Sequence, residues 1–358
     1  MNLTEKTEHP HLVFRADELK KLAYDLVRAA GASHDNAEAI SSAYLHADLS
    51  GVGRQGIDYI PYLLDHLSDG RVNGKASPKI VRQTGTSALI DGGLGPGQAA
   101  AKLATKVAIA KAHSGVSAVG ITNSSDIFML GYYASLIADA GLIGFVFTSG
   151  PPLVHPYGGV ERMLGTNPVA MAFPTGDIPL LLDIATSTVS RSSIRHAYYH
   201  GEQVPPGIGL NSEGEPTTDA EELYKGGALA PLGGYKGFGL GLCFAMLCGP
   251  LTGSAIGPDL SWMDDGGESV GMGHFFMAIN PASFGKKDAF SEQAASYIGR
   301  IKSSKKTPGI REIRIPGERS AQKREARRVE GVPIVKEGWK IIEKRARDLG
   351  VTIPQPIS

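Results

Sequence analysis

Apolar residues recur every three to four positions along residues 16–27, which predicts a helix there. A second helical segment runs over 37–49, with Asp35 and Asn36 as capping candidates, and a third restarts at Pro61 through Leu67. From residue 78 the period changes. Short apolar stretches at 79–82, 87–90, 117–121, 143–148, 169–173, 179–183 and 275–279 read as strands. Helical patterns at 98–113, 132–139, 237–251, 290–301 and 335–349 interleave with them or come after them. The segment 237–251 is apolar throughout and reads as a buried helix. Residues 310–315 alternate with period two, which predicts a half-exposed strand, and the tail 354–358 reads as disordered. Strands and helices alternate through the middle with helices at both ends, the pattern of an α/β protein whose central sheet is flanked by helical parts.

The 358 residues allow about two domains and a core that needs no disulfide or metal. Lys+Arg and Asp+Glu both number 36, a balance that argues against broad nucleic-acid or membrane-surface binding. The two cysteines, Cys243 and Cys248, match neither a redox pair nor a zinc spacing and read as buried thiols in a reducing compartment. The first residues carry no apolar signal core, and the apolar run 238–247 is far short of a membrane span. These features point to a cytoplasmic protein.

Several segments could carry chemistry. Gly95-Pro-Gly97-Gln-Ala-Ala100 matches the Gly-x-Gly-x-x-Gly/Ala dinucleotide pattern, but Pro96 constrains the loop and Asp91-Gly-Gly intervenes after the strand, so a structural loop is favoured. Gly165-Thr-Asn-Pro168 ends a charged turn and opens a strand, as a rigid turn or a ligand-facing one. Asp183-Ile-Ala-Thr-Ser187 puts a carboxylate at a strand end, where it either binds ribose hydroxyls, moves a proton, or caps neighbouring backbone. Gly233-Gly-Tyr-Lys-Gly237 sets one lysine among glycines at a helix start, an arrangement that suits an anion or a plain connector. His196 and His200 share a helix face without a third ligand, so no metal is expected. Gly267-Glu-Ser-Val-Gly271 matches a nucleophile-elbow pattern but lacks the flanking strand and helix, and the basic cluster 323–328 reads as a solvated face.

Taken together, Gly165-Thr-Asn-Pro168, Asp183-Ile-Ala-Thr-Ser187 and Pro231-Leu-Gly-Gly-Tyr-Lys-Gly237 resemble the malate/L-lactate dehydrogenase family. That family includes ureidoglycolate and sulfolactate dehydrogenases, 2,3-diketogulonate reductase and Δ1-piperideine-2-carboxylate reductase. Ala47-Asp-Leu, Gly131-Tyr-Tyr, Pro216-Thr-Thr-Asp219 and Ile315-Pro-Gly-Glu318 extend the resemblance over about residues 15–350. It implies a homodimer, a non-Rossmann sheet-based NAD(P)-binding domain, and hydride transfer to or from a small 2-oxo/2-hydroxy acid or imino acid. The expected organisation is an N-terminal helical region (1–75), the NAD(P)-binding sheet domain (76–215 with 305–330) and a helical C-terminal region (216–304 with 331–358). Contacts to NAD or NADP are implied for Thr148, Gly150, Leu182, Asp183, Ile184, Ala185, Tyr235, Lys236, Gly317, Glu318 and Arg319. Arg319 near the Gly-Glu pair is a weak pointer to a 2′-phosphate.

The chain departs from the family where its histidines stand. The family's Ser-His-Gly appears here as Arg54-Gln55-Gly56, its following arginine as Tyr59, and the second histidine position holds Asp126. The family's Gly-Lys after the Asp-Ile-Ala-Thr-Ser segment appears as Ser192-Ser193. Reduction of a carbonyl or imine needs a proton delivered to the heteroatom, a task suited to imidazole. Gln55 offers only a hydrogen bond. Asp126 can hold a proton or pair with a cationic substrate, Arg54 can clasp a carboxylate, and Asp183 is a further proton-transfer candidate. The expected catalytic set is therefore Arg54, Gln55, Asp126 and Asp183. The alternatives are a nucleotide-binding homologue with impaired catalysis, or an enzyme that uses a histidine elsewhere, such as His155.

Overall fold

The computed structural model describes residues 10–261, 271–286 and 288–357. The first strand β1 (His11–Phe14) leads into two helices, α1 (Ala16–Ala29) and α2 (His34–Ser50). The α2 cap is Ser33, whose hydroxyl accepts from the Asn36 N–H. The expected capping residue Asn36 is instead buried, its amide donating to the Gly74 and Ala76 carbonyls. Two short 3-10 turns (Gly53–Gln55, Ile57–Tyr59) then join α2 to α3 (Ile60–Ser68).

The sheet strands are β2 (Lys79–Gln83), β3 (Ser87–Gly95), β4 (Val116–Ser124), β5 (Ile143–Thr148), β6 (Val169–Phe173) and β7 (Leu180–Ile184), with α4 (Gly97–Lys111) and α5 (Leu130–Asp139) between them. After β7 come α6 (Arg191–Tyr199), β8 (Gly209–Leu210), α7 (Ala220–Lys225), β9 (Ala228–Leu229) and α8 (Tyr235–Cys248). The chain continues through β10 (Met272–Ile279), α9 (Ala289–Ser303), α10 (Glu318–Glu330), β11 (Val332–Val335) and α11 (Lys336–Asp348).

The seven-stranded sheet has the order β2-β3-β4-β10-β5-β6-β7. Only β3 and β4 run parallel, joined by α4 as a single crossover, and all other neighbours are antiparallel. This is a mixed sheet and not the doubly wound parallel sheet of a Rossmann domain. Strand β10, in the stretch expected to belong to the helical C-terminal region, lies at the centre of the sheet. Small side chains let α4 and α5 seat closely on one face: Ala100, Ala101, Ala104, Ala108, Ala134 and Ala138 are all buried there. Helix α8 covers the other face through Phe244 and Cys248, against Phe147, Val169 and Phe275.

A separate core gathers the two ends of the chain. Strand β1 pairs antiparallel with β11, and Phe14 packs against Trp339 in a tilted contact at 4.0 Å between ring centroids. The tail expected to be disordered returns along this pair, with the Ile357 N–H donating to the Val13 carbonyl at 2.7 Å. The expected strand at 310–315 does not form; that segment is irregular, and the Leu181 N–H ties its end to the sheet through the Pro316 carbonyl. A third core, from Leu153 to Leu229, is built by α6, α7 and the loops around them.

Helix α8 is less enclosed than its composition predicts. Cys248 is buried but Cys243 is exposed, as are Leu240, Leu242 and Met246. Basic residues of α10 are also not merely solvated: Arg324 donates to the Ser50 hydroxyl and Arg327 to the Asp48 carbonyl. Among the described residues, no helix is long and apolar enough to cross a membrane.

Candidate active site

A cleft opens where four loop groups meet. The 3-10 turns after α2 supply Arg54, Gln55 and Tyr59. The loop after β4 supplies Asp126 and Phe128, and the end of β5 supplies Thr148, Ser149, Gly150 and Pro151. The start of α6 completes the wall with Ser190, Arg191, Ser192 and Arg195. Five expected site residues, Arg54, Gln55, Asp126, Thr148 and Gly150, thus converge from three separate segments.

Local sequence explains the first turn. Gly56 lies against the buried Asp48 carboxylate: a Cβ there would stand 1.9 Å from Asp48 Oδ1. Asp48 Oδ2 accepts the Ile57 N–H at 3.0 Å, so the acid of Ala47-Asp-Leu pins the turn that comes after Gln55. Burial, reinforced by neighbouring Asp58, pushes the Asp48 carboxyl well up. Asp58 is raised to about 6 by burial, against the pull of Arg195 and Arg54. Burial also lowers the Arg54 guanidinium from its ordinary value.

Ser190 caps α6 by accepting the Ser193 N–H, and the spacing of Arg191 and Arg195 sets both on one face of that helix. Arg195 lies over the Tyr59 and Tyr62 rings, at 5.2 and 4.7 Å from their centroids. Arg54 Nη1 makes a long 3.5 Å contact with the Ser193 hydroxyl. Among the described residues, three arginines therefore line the cleft beside one carboxylate, Asp126. Asp126 Oδ1 accepts the Phe128 N–H at 2.9 Å.

The conspicuous Gly-Thr-Asn-Pro segment is structural at its centre. Asn167 is 1% exposed with φ +33°, accepts the Gly150 N–H at 3.2 Å and donates to the Gly241 carbonyl at 2.9 Å. It ties the β5 wall of the cleft to α8. Gly165 allows the Gly150 carbonyl to approach, since a Cβ would stand 2.3 Å from that oxygen.

The remaining expected cofactor residues do not line the cleft. They form a strip along β7, an edge strand of the sheet. Gly317 abuts Leu181 at one end, and Leu182, Asp183, Ile184 and Ala185 continue from it. At the other end the Leu232 N–H donates to the Thr186 carbonyl, which brings Tyr235 and Lys236, both exposed, alongside. The strip meets the cleft at Thr166, whose carbonyl accepts the Thr186 N–H and which itself lines the cleft.

Within that strip Asp183 is open to solvent on one side, while Asp183 Oδ2 accepts the Gly131 N–H at 2.7 Å, so the carboxylate caps the start of α5. Surrounding protein raises its carboxyl to about 6, against the effect of that hydrogen bond. Glu318 pairs with Lys302 and accepts the Ile315 N–H, while Arg319 is exposed.

The Gly95-x-Gly97 pattern does open a helix after a strand, but the protein itself fills that helix start. The Gly97 N–H donates to the Ser125 hydroxyl at 2.9 Å, and Gln98 reaches the Asp126 carbonyl. His155 hydrogen-bonds the Pro156 carbonyl and is absent from the cleft lining. The rings of His196 and His200 lie 4.1 Å apart, and among the described residues no three potential metal ligands gather. Residues 267–270 of the elbow-like motif lie outside the described residues.

Sequence reasoning missed Arg191, Arg195 and His274. The arginines were detectable from their four-residue spacing after a serine cap. His274 sits in an apolar stretch and reads there as an ordinary strand residue.

A mixed sheet with an arginine-bearing cleft at its strand ends defines an α/β protein. The malate/L-lactate dehydrogenase family profile matches residues 14–343. The malate dehydrogenase of Pyrococcus abyssi is 36% identical over 94% of this chain and 94% of its own length. The L-sulfolactate dehydrogenase of Methanocaldococcus jannaschii is 33% identical over 96% of this chain and 98% of its own. The solved malate dehydrogenase of Pyrococcus horikoshii superposes with a TM-score of 0.88 at 34% identity, covering 97% of this chain and 99% of that one. The chain belongs to the malate/L-lactate dehydrogenase family and is an oxidoreductase.

Proposed function

We propose that this chain is an NAD(P)-dependent dehydrogenase or reductase with a rebuilt substrate pocket, acting on a small 2-oxo/2-hydroxy acid or imino acid. The observation that carries the proposal is the convergence of Arg54, Gln55 and Asp126 with Thr148 and Gly150 in one cleft. The strip along β7 would hold the nucleotide, with Asp183, Lys236 and Gly317–Arg319 along it and Thr148–Gly150 at its inner end. Its fit is supported by an open edge strand and by the buried Ser149 Oγ in the cleft wall, which has no hydrogen-bond partner among the described residues. When bound, the nicotinamide supplies or accepts the hydride.

The chain's own residues do the rest. Arg54 is placed to clasp the substrate carboxylate in a forked hydrogen bond, with Arg191 and Arg195 adding positive charge beside it. Asp126 holds or receives the proton at the reacting heteroatom, or pairs with the cation of a protonated imine. Gln55 steadies the substrate through its amide. An imine suits Asp126 better than a plain carbonyl does, because a carboxylate pairs with an iminium. The exposed apolar face of α8 (Leu240, Leu242, Met246) supports a homodimer, and a cytoplasmic location with two unpaired thiols completes the reading.

The test is turnover of a panel of cyclic imines and 2-oxo acids with NADH and NADPH, beside calorimetric nucleotide binding. Asp126→Asn should lower kcat about a hundredfold or more with nucleotide affinity unchanged. Tight nucleotide binding without turnover of any panel member would favour a catalytically impaired nucleotide-binding homologue.

A further inference from the structure

His274 is fully buried on β10, opposite Thr148 of β5 and Ile121 of β4. Just beyond it the β10–β4 pairing shifts register, from His274↔Ile121 to Met272↔Ser124, so β4 carries an extra residue. Such a bulge bends the strand and re-aims the residues past it. Here it carries Ser124 and Ser125 over the strand ends, toward Asp126 in the cleft. The imidazole then bridges two walls of the cleft. Nε2 lies 3.0 Å from the Ser125 carbonyl oxygen, and Nδ1 lies 2.6 Å from the Thr148 hydroxyl.

The partners dictate the tautomer. A carbonyl oxygen only accepts, so Nε2 carries the hydrogen and donates it to Ser125. On a neutral ring Nδ1 is then an acceptor, and the Thr148 hydroxyl must be its donor. Burial lowers the imidazole pKa to about 4, so the ring is neutral at physiological pH. The Thr148 hydroxyl has another acceptor within reach, the Ser149 carbonyl at 3.0 Å, but the histidine contact is the shorter.

We propose that His274 is a positioning residue of the cleft. It clamps the Asp126 segment to the Thr148–Gly150 wall and commits the Thr148 proton inward. The Thr148 oxygen therefore faces a ligand only as an acceptor, and the bound molecule meets it with an N–H or O–H donor, such as a primary carboxamide, an amine or a hydroxyl.

Two measurements test this in the full chain. Long-range proton–nitrogen NMR of histidine-labelled protein, with the His274 signal assigned by its loss in folded His274→Gln, should report a neutral Nε2–H ring between pH 6 and 8. An Nδ1–H tautomer or a cationic ring at pH 7 overturns the proposal. The kinetic arm rests on the dehydrogenase reading. His274→Phe fills the ring's space and removes the acceptor for Thr148 together with the donor for Ser125, and Thr148→Val removes the donor. Each should lower kcat/KM about tenfold or more, at least the worth of one hydrogen bond. The double variant should fall no further than about twofold below the worse single one, because both break the same link. Thr148→Ser, which keeps the hydroxyl, should restore most of the activity. Multiplying losses, or a His274→Phe enzyme at wild-type kcat/KM, would overturn it. An inactive wild-type chain would count against the dehydrogenase reading alone, and the imidazole measurement would then decide this proposal.

Discussion

Replacing Asn167 by alanine should cost far more than the loss of a typical polar side chain. Asn167 holds the Gly150 N–H and the Gly241 carbonyl from a backbone with φ +33°. Gly241 lies inside α8, so its carbonyl keeps helical company and its lost bond is worth about 1 kcal/mol. The Gly150 N–H keeps no other partner from this side chain, which adds roughly 1–2 kcal/mol. Alanine tolerates the left-handed backbone less well than asparagine, by about 1 kcal/mol. The total comes to about 3–4 kcal/mol. Glycine removes the same two bonds without the backbone penalty, so Asn167→Gly should lie about 1 kcal/mol above Asn167→Ala. Urea unfolding at an unchanged denaturant slope measures both. A loss below about 1 kcal/mol for Asn167→Ala, or a glycine variant less stable than the alanine one, would refute the reasoning.

The geometry carries two more expected outcomes. Gly97→Ala would place a Cβ 2.3 Å from the Ser125 carbonyl and 2.5 Å from that of Asp126. It should cut kcat/KM about a hundredfold by displacing Asp126 while leaving calorimetric nucleotide affinity intact, and a primary loss of affinity would restore the glycine pattern as a cofactor cradle. Asp183 is raised to about 6 in the folded chain, above the value of an unfolded aspartate, so folding favours its protonated form. Its stabilising contribution is complete below about pH 4, declines as the pH rises through 6 and is spent by about pH 7. Asp183→Asn should flatten that part of the Tm-against-pH curve, and identical curves for both proteins would exclude the effect.

Where a segment packs against its neighbours in sequence, the pattern of the chain was enough to read it. The alanine-rich helix α4 and the strands β5 and β6 fall where periodicity puts them, because each buries one regular face. Helix α10 escaped notice because Glu318–Glu330 is polar all round; it is held by tertiary bonds to α2, which local pattern does not encode. The β1–β11 pair joins residues more than three hundred positions apart, and its short strands make sense only together. The 310–315 alternation was misleading in the opposite way, since a period of two has no consequence without a partner strand. Within the cleft, Arg54, Gln55 and Asp126 were legible because they depart from a familiar motif. The geometry that joins them to α6 was not, because it depends on how the loops fold over the sheet ends.

The start of α4 bears on how such proteins are recognised. In a nucleotide-binding crossover unit, a helix's first amides are left vacant to greet a phosphate. Here Ser125 and Asp126 occupy that berth, so its electropositive tip braces a wall of the cleft. On the proposed reading, a scan for glycine fingerprints would therefore dock a dinucleotide behind that wall, away from the β7 strip.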